Sequence, residues 1–167
     1  MKRGKGLGWL SSLFLVVVFQ RPNYEGFPLF RTYLANHGYT VVTVQYIVIG
    51  EGLYKDAVAD VNDAIRYIKA NADKYHIDPE WIVLLGNSAG GYMVALTATS
   101  ANNGKEDFLG KYKWEYTTAV KGVIDLYGLS DLRRIADDYT DESRRSHEVN
   151  TSPESHYVNG VYSQVRV

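Results

Sequence analysis

The most informative stretch of the sequence is Leu84-Leu85-Gly86-Asn87-Ser88-Ala89-Gly90-Gly91-Tyr92-Met93, which contains the spacing G-x-S-x-G. An apolar run with strand character, Trp81 to Leu85, leads into this motif. The residues that follow it continue as an apolar pattern that suits a buried helix. The context therefore predicts a strand that turns at once into a helix, with Ser88 at the corner.

A serine at such a corner has a strained backbone, and its side chain is pushed outward. Any side chain at Gly86 or Gly90 would collide with the adjoining strand and helix. The helix directs its positive end and its free N–H groups at the serine. We predict that Ser88 is a catalytic nucleophile and that the Ala89 N–H contributes to an oxyanion hole. The turn around them is then a nucleophile elbow formed by Gly86, Asn87, Gly90 and Gly91. The alternative is a structural glycine-rich turn with an incidental serine.

The rest of the chain supports an α/β fold. Apolar runs at 13–19, 40–46, 81–85 and 119–126 alternate with helical patterns, as in βαβ units. Near-continuous hydrophobicity is typical of parallel strands that helices cover on both faces. The clearest helical pattern runs from Leu53 to Lys69, and a shorter one ends at Asn36. We predict a three-layer sandwich with a mostly parallel sheet of about four central strands.

Residues 129–159 differ in character, because charged side chains cluster there and apolar residues become sparse. We interpret this segment as a solvated helix and a surface loop. The alternative is part of a lid over an active site.

Composition excludes several classes of function. The chain has 167 residues, enough for one domain with a hydrophobic core, and a formal net charge of −1. The net charge therefore gives no overall electrostatic attraction to nucleic acid, and no nucleic-acid partner is expected. The absence of cysteine excludes disulfides, thiolate metal sites and cysteine nucleophiles, and leaves the compartment open. Glu106, Asp107 and Glu115 form no metal-ligand spacing with a histidine, so no metal site is expected.

The N-terminus raises the question of targeting. Lys2, Arg3 and Lys5 precede the mostly apolar run Leu7 to Phe19, a pattern found in signal peptides. No small-x-small cleavage site follows, and the run is short for a membrane span. The β-branched and aromatic content of its second half favours a buried strand, and thus a cytoplasmic protein. A signal or membrane anchor at Leu7 to Phe19 remains the alternative.

Three motifs carry a resemblance to a known family. They are Asp60-Val61-x-x-Ala64-Ile65-x-Tyr67-Ile68, Ile77-Asp78-Pro79-Glu80-x-Ile82 and Gly86-Asn87-Ser88-Ala89-Gly90-Gly91. Together they resemble the esterase/lipase branch of the α/β-hydrolase superfamily, which includes hormone-sensitive-lipase-like and feruloyl-esterase-like carboxylesterases. The resemblance implies hydrolysis of small-molecule carboxylic esters through an acyl-enzyme at Ser88, without a metal or organic cofactor. It also implies a strand order of second, first, third, fourth run across the sheet.

The sequence departs from this family in two ways. The family has a His-Gly-Gly-Gly loop after its third strand, whereas Gln20-Arg21-Pro22-Asn23 follows the corresponding run here. Gly6-Leu7-Gly8-Trp9 is similar to that loop in composition but precedes the strand. The family also places its triad Asp and His after later strands. By order alone the candidates are Asp125, Asp131, Asp137 or Asp138 with His147 or His156, and we expect both histidines to have surface roles.

These observations predict a single, incomplete α/β-hydrolase domain over residues 1–167, with a core at 13–131 and a polar lid or loop segment at 132–160. We expect its open sheet edges to promote self-association. Three functions are compatible with the sequence: a serine esterase, a non-catalytic hydrolase-like protein that binds ligands or is degenerate, and an exported or membrane-tethered esterase. The triad Asp and His are expected beyond Val167.

Overall fold

The computed structural model describes residues 14–18, 28–48, 50–101, 108–112, 115–135, 137, 140–147 and 149–158. Strands and helices alternate along the first two thirds of the chain, as the sequence predicts. The elements in chain order are β1 (Phe14–Val18), α1 (Pro28–Asn36), β2 (Thr40–Val44), α2 (Tyr54–Ala70), α3 (Ala72–Tyr75), β3 (Ile82–Asn87), α4 (Ala89–Ser100), β4 (Gly122–Leu126), a 3-10 turn (Leu132–Arg134), α5 (Asp141–His147) and α6 (Pro153–Val158).

The four strands form one parallel sheet in the order β2-β1-β3-β4, which confirms the predicted order. The chain passes from β1 to β2, which lies on one side of β1 in the sheet. It then passes from β2 to β3, which lies on the other side of β1. The topology therefore reverses between β1 and β3, where the carboxyl ends of strands in such sheets open a crevice for ligands. Ser88 follows β3 directly, beside this crevice.

The sheet is covered on both faces, which makes the three-layer sandwich that the sequence predicts. On one face, Ile82 and Leu84 of β3 join the main core with residues of α2 and α4, and both side chains are fully buried. On the other face, Leu85 packs with Val83, Val41 and Leu34 of α1. The alternation along β3 follows from strand geometry, because successive side chains point to opposite faces.

Helix α2 places its apolar stripe against the core because Val58, Val61 and Ile65 recur every three or four residues. Its polar side chains serve a second purpose: they bind the backbone of the connection between α4 and β4. Asn62 donates to the Phe108 carbonyl at 2.7 Å, and the Asp63 carboxylate accepts from two backbone N–H groups. Further bonds run from Arg66 and Lys69 to the carbonyls of Leu109, Tyr116 and Ala119.

Two apolar surfaces remain open. Helix α1 has no buried residue, and Leu29 and Tyr33 are 86% and 58% exposed. Along the edge strand β4, Ile124 and Leu126 are 43% and 39% exposed. The strand β2 forms the other edge of the sheet.

The interpretation of residues 129–159 as a solvated helix and surface loop fits α5, whose described side chains are mostly exposed, but is wrong for Leu132 and for α6. Leu132, Tyr157 and Val158 are buried, as are Ser152 and Ser155. The ring of Tyr157 contacts those of Tyr54 and Tyr92, at centroid distances of 6.1 and 6.4 Å. Leu132, Tyr157 and Val158 face inward, while most of the described charged side chains of the segment are exposed, so composition alone is misleading here.

The apolar run at the N-terminus contains β1, so the strand interpretation is confirmed over Phe14–Val18. The two candidate loops around it, Gly6 to Trp9 and Gln20 to Asn23, lie outside the described residues, as does the possible strand at 161–167. None of the helices in the described ranges combines the length and the apolar content needed to cross a bilayer.

Candidate active site

Ser88 lies at the junction of β3 and α4 with φ 51° and ψ −125°. This left-handed region is rarely occupied by residues with a side chain, and such outliers are concentrated at functional sites. Backbone hydrogen bonds hold the turn on both sides. The Ser88 N–H donates to the Leu126 carbonyl at 3.0 Å, and the Ser88 carbonyl accepts from Tyr92 at 3.1 Å. The sharp corner expected from the sequence is therefore present.

The glycines around Ser88 are required by close backbone contacts. A Cβ at Gly86 would collide with the carbonyl of Gly90 and the nitrogen of Gly91. A Cβ at Gly91 would collide with the Asp125 carboxylate and with the backbone of Gly128. Gly86, Gly90 and Gly91 are all buried. The turn from β3 into α4 thus requires that Gly86 carry no side chain, and the packing of α4 against Asp125 and Gly128 requires the same of Gly91.

Ala89 is the first residue of α4, where backbone N–H groups have no partner within the helix. Among the described residues, no hydrogen bond from its N–H is found, whereas the neighbouring Ser88 N–H is paired. The free donor and the positive end of the helix lie directly beside the serine. This arrangement can stabilise negative charge that develops on a substrate oxygen near Ser88.

A cavity of about 450 Å³ opens above the elbow. Its floor is formed by Ser88, Ala89 and Tyr92, and strand ends contribute further walls. The remaining lining comes from the 3-10 turn region and from α6. The other lining residues are Tyr46, Val48, Tyr127, Leu129, Leu132, Ile135, Pro153, Glu154 and Tyr157. The cavity is large enough for a small ester and mainly apolar in its lining.

The buried tyrosines of the cavity remain neutral. Burial raises the pKa of Tyr46 and of Tyr157, and nearby tyrosines add to the effect at Tyr157. Burial, followed by the charges of Tyr54 and Asp131, raises the pKa of Tyr92 to about 12. Their phenol groups thus act at neutral pH as uncharged walls and as hydrogen-bond donors.

The candidate histidines are not assembled around Ser88, whereas the charge of Asp131 acts on Tyr92, a residue of the cavity lining. The Asp125 carboxylate accepts from the Gly128 N–H at 2.8 Å, and Asp137 pairs with Arg134 at 2.8 Å on the surface. All four histidines of the sequence lie in described parts of the chain, and none lines the cavity. His156 is exposed, and Asp138 lies outside the described residues.

His147 pairs with a residue of the cavity lining. It is half-buried, and its Nδ1 lies 3.3 Å from Oε1 of Glu154. Glu154 in turn lines the cavity, and its Oε2 is buried without a hydrogen-bond partner among the described residues. Sequence reasoning missed Glu154, because nothing in its local pattern separates it from the surrounding charged residues. Within the described ranges, no set of His, Asp and Glu side chains comes together that could hold a metal ion.

Comparison with known proteins provides independent information. Over 106 residues the chain is 30% identical to a Mycobacterium tuberculosis protein named "Probable carboxylic ester hydrolase LipM", covering 64% of this chain and 24% of that protein. It is 31% identical over 98 residues to Esterase LipC of the same organism, covering 59% of this chain and 24% of that protein. The chain thus spans about a quarter of the length of these curated relatives.

Similar folds are found among solved structures. A bifunctional GH43-CE protein of Bacteroides eggerthii matches with a TM-score of 0.76 at 25% identity, over 92% of this chain and 23% of that chain. Thermogutta terrifontis esterase 2 phosphorylated by paraoxon matches with a TM-score of 0.62 at 21% identity, over 93% and 58%. The BD-FAE family model matches residues 22–165. The chain therefore belongs to the BD-FAE family of α/β-hydrolase-like domains.

Proposed function

We propose that this chain carries the nucleophile of a carboxylic ester hydrolase, with Ser88 as the residue that forms the acyl-enzyme. The observation that carries the proposal is the left-handed backbone of Ser88 between β3 and α4, on the floor of a cavity of about 450 Å³. The named relatives support it, since those quoted above are an ester hydrolase and an esterase. The substrate class is a small ester that fits the cavity.

In the proposed reaction, the Ser88 hydroxyl oxygen attacks the ester carbonyl. The resulting oxyanion accepts a hydrogen bond from the Ala89 N–H and is stabilised by the N-terminus of α4. Collapse of this intermediate expels the alcohol and leaves an acyl group on Ser88, which water then removes. Both halves of the reaction need a general base that takes a proton from serine and then from water.

The general base is not provided by the described arrangement, because none of the four histidines lines the cavity. We propose that a histidine and a carboxylate from a longer version of the chain complete the site, and that residues 132–160 form a lid over it. The burial of Leu132 and Tyr157 against the cavity supports the role of the lid.

Hydrolysis of p-nitrophenyl acetate and butyrate tests the function. We expect very weak turnover by the 167-residue chain, because loss of one oxyanion donor costs roughly 10²–10³ in turnover and loss of a triad member costs more. A longer version of the chain that supplies Asp and His should show clear activity, which Ser88→Ala abolishes. Equal activity of that version with and without Ser88 would refute the proposal. Fast turnover by the 167-residue chain would instead mean that His147 or His156 acts as the base.

A non-catalytic protein that binds esters is the second candidate, and the missing histidine in the cavity favours it. Such a protein would bind butyrate esters without hydrolysing them, even in its longer version. Binding without turnover, measured by calorimetry and by release of p-nitrophenol, would distinguish the two functions.

We also propose that the chain associates with itself through the open edges at β2 and β4. Edge strands present unpaired N–H and C=O groups, and apolar edges pair readily with other chains. The exposure of Ile124 and Leu126 on β4 supports this proposal.

A further inference from the structure

Glu154 is the one acidic side chain among the described residues that line the cavity. It belongs to the first turn of α6, and its side chain is only 13% exposed. One carboxylate oxygen, Oε1, lies 3.3 Å from Nδ1 of His147. The other oxygen, Oε2, is buried and has no hydrogen-bond partner within the described part of the chain. The reaction proposed at Ser88 does not use this group.

An unpaired carboxylate oxygen in a buried position is unfavourable, because it has lost water without gaining another donor. A ligand in the cavity can supply that donor, and a hydrogen bond between two charged groups is about twice as strong as one between neutral groups. The terminal torsion of a glutamate side chain is soft, so Oε2 can turn towards a ligand in the cavity that Glu154 borders. The carboxylate therefore favours a ligand with a cationic N–H group.

The rest of the lining also suits a positive charge. Four tyrosine rings belong to it, and the faces of aromatic rings attract cations. One of these rings, that of Tyr157, lies three residues after Glu154, so both side chains leave α6 on the same side. The negative charge of Asp131 acts on a second ring, that of Tyr92. Among the described lining residues there is no Lys, Arg or His that would repel a cation inside the cavity.

We propose that Glu154 gives the Ser88 site a preference for esters that carry a cationic amine. The ammonium N–H donates to the Glu154 carboxylate, while tyrosine rings of the cavity pack against the alkyl groups of the amine. The ester carbonyl lies at Ser88 and the Ala89 N–H, as in the proposed reaction. This inference rests on the proposed function, because it names the group that the same site recognises. Glu154 determines specificity and takes no part in the steps that make or break bonds.

Ligand binding to the Ser88→Ala variant tests the proposal without requiring turnover. The probes are 2-(dimethylamino)ethyl acetate and 3-methylbutyl acetate, which have the same shape but differ by a protonated nitrogen in place of a CH group. Dissociation constants are measured by NMR titration at pH 7. We expect the amine to bind about 10-fold more tightly, the lower end of the range for a hydrogen bond to a charged group. Adding Glu154→Gln should remove this preference and leave the binding of 3-methylbutyl acetate unchanged.

The matched control is Glu142→Gln, which removes the same charge from an exposed position on α5 outside the cavity lining. It should leave the preference for the amine intact. Equal binding of the two probes to the Ser88→Ala variant, or a preference that survives Glu154→Gln, would overturn the proposal. If Glu154→Gln fails to fold, the comparison of the two probes decides alone.

The outcomes for the inference and for the proposed function are separable. A chain that prefers the amine through Glu154, but whose longer version hydrolyses no ester, would refute the function while leaving this inference intact. Hydrolysis that depends on Ser88 in the longer version, together with equal binding of the two probes, would overturn the inference alone.

Discussion

The backbone conformation of Ser88 is strained, because its φ is positive and the residue carries a side chain. A residue in this part of φ,ψ space costs about 1–3 kcal/mol, and only glycine adopts the region freely. We therefore expect Ser88→Gly to be more stable than Ser88→Ala by about 1 kcal/mol, after the extra entropy of unfolded glycine is subtracted. Urea unfolding of both variants provides the measurement. A Ser88→Gly variant no more stable than Ser88→Ala would show that the corner is unstrained.

The glycine at position 86 can be tested in the same way. Gly86→Ala places a Cβ against the Gly90 carbonyl, so we expect a loss of about 1–3 kcal/mol in the free energy of unfolding. Gly122→Ala is the control, because a Cβ at that strand position meets nothing within 4 Å. Its unfolding free energy should stay close to that of the parent chain. Equal effects of the two substitutions would contradict the packing described at the elbow.

Ionisation of Tyr92 should make the free energy of unfolding depend on pH in the alkaline range. Its pKa is raised from 10.0 to about 12 in the folded state, chiefly by burial. The folded state therefore holds this proton more tightly than the unfolded state. The resulting stability is complete below pH 10 and is lost as the pH rises towards 12. Tyr92→Phe should accordingly lose less stability between pH 8 and pH 11 than the parent chain. Identical losses in urea unfolding at the two pH values would refute the assignment.

The centre of the site could be predicted from sequence, but its walls could not. Ser88 and its glycines form one continuous motif, and the steric needs of a sharp corner are readable locally. Tyr46, Tyr127 and Glu154 come from three distant positions and meet only because the sheet brings their elements together. No spacing rule connects them, so these residues emerge only from the structure.

At the scale of elements, the apolar runs located the strands well, and helical periodicity located α2 well. The strand β4 begins at Gly122, later than the apolar run suggests. Residues 129–158 were harder to interpret, because charges dominate their composition. A short helix such as α6 buries only Ser155, Tyr157 and Val158, which is too few to produce a clear periodic signal.

The polar face of α2 provides a test at this scale. Asp63 accepts hydrogen bonds from the N–H groups of Lys111 and Tyr112, at 2.7 and 2.8 Å. Asp63→Ala leaves both donors without this partner, so we expect a loss of about 1–3 kcal/mol in unfolding free energy. Asp73→Ala, an exposed position on α3, should change stability by less than about 0.5 kcal/mol. A small effect at Asp63 would mean that α2 does not anchor the connection.

At the scale of the whole molecule, strand order places the nucleophile. The sheet reverses direction between β1 and β3, so Ser88 emerges beside the crevice between them. The family resemblance predicted this order, and right-handed crossovers are consistent with it. The volume and lining of the cavity were not predictable, since they depend on how residues 129–158 fold back over the sheet.

The open edge of the sheet predicts the behaviour of the isolated chain in solution. We expect dimers or larger assemblies in sedimentation, formed through apolar edge strands. Ile124→Lys should shift the population towards monomer, because a charged edge residue opposes pairing with another strand. Val149→Lys is the matched control, since Val149 is similarly exposed, at 46%, but lies outside the sheet. A parent chain that is already a stable monomer would contradict the proposed self-association.

We propose that Ser88 is the nucleophile that the completed site activates, and covalent labelling tests this most directly. A longer version of the chain, which supplies the triad Asp and His, is incubated with paraoxon, digested, and analysed by mass spectrometry for diethylphosphoryl adducts over time. We predict that the peptide containing Ser88 is labelled faster than peptides containing exposed serines such as Ser130, and that Ser88→Ala removes this fast phase. Labelling at Ser88 no faster than at Ser130, or a fast phase that persists in Ser88→Ala, would contradict the account.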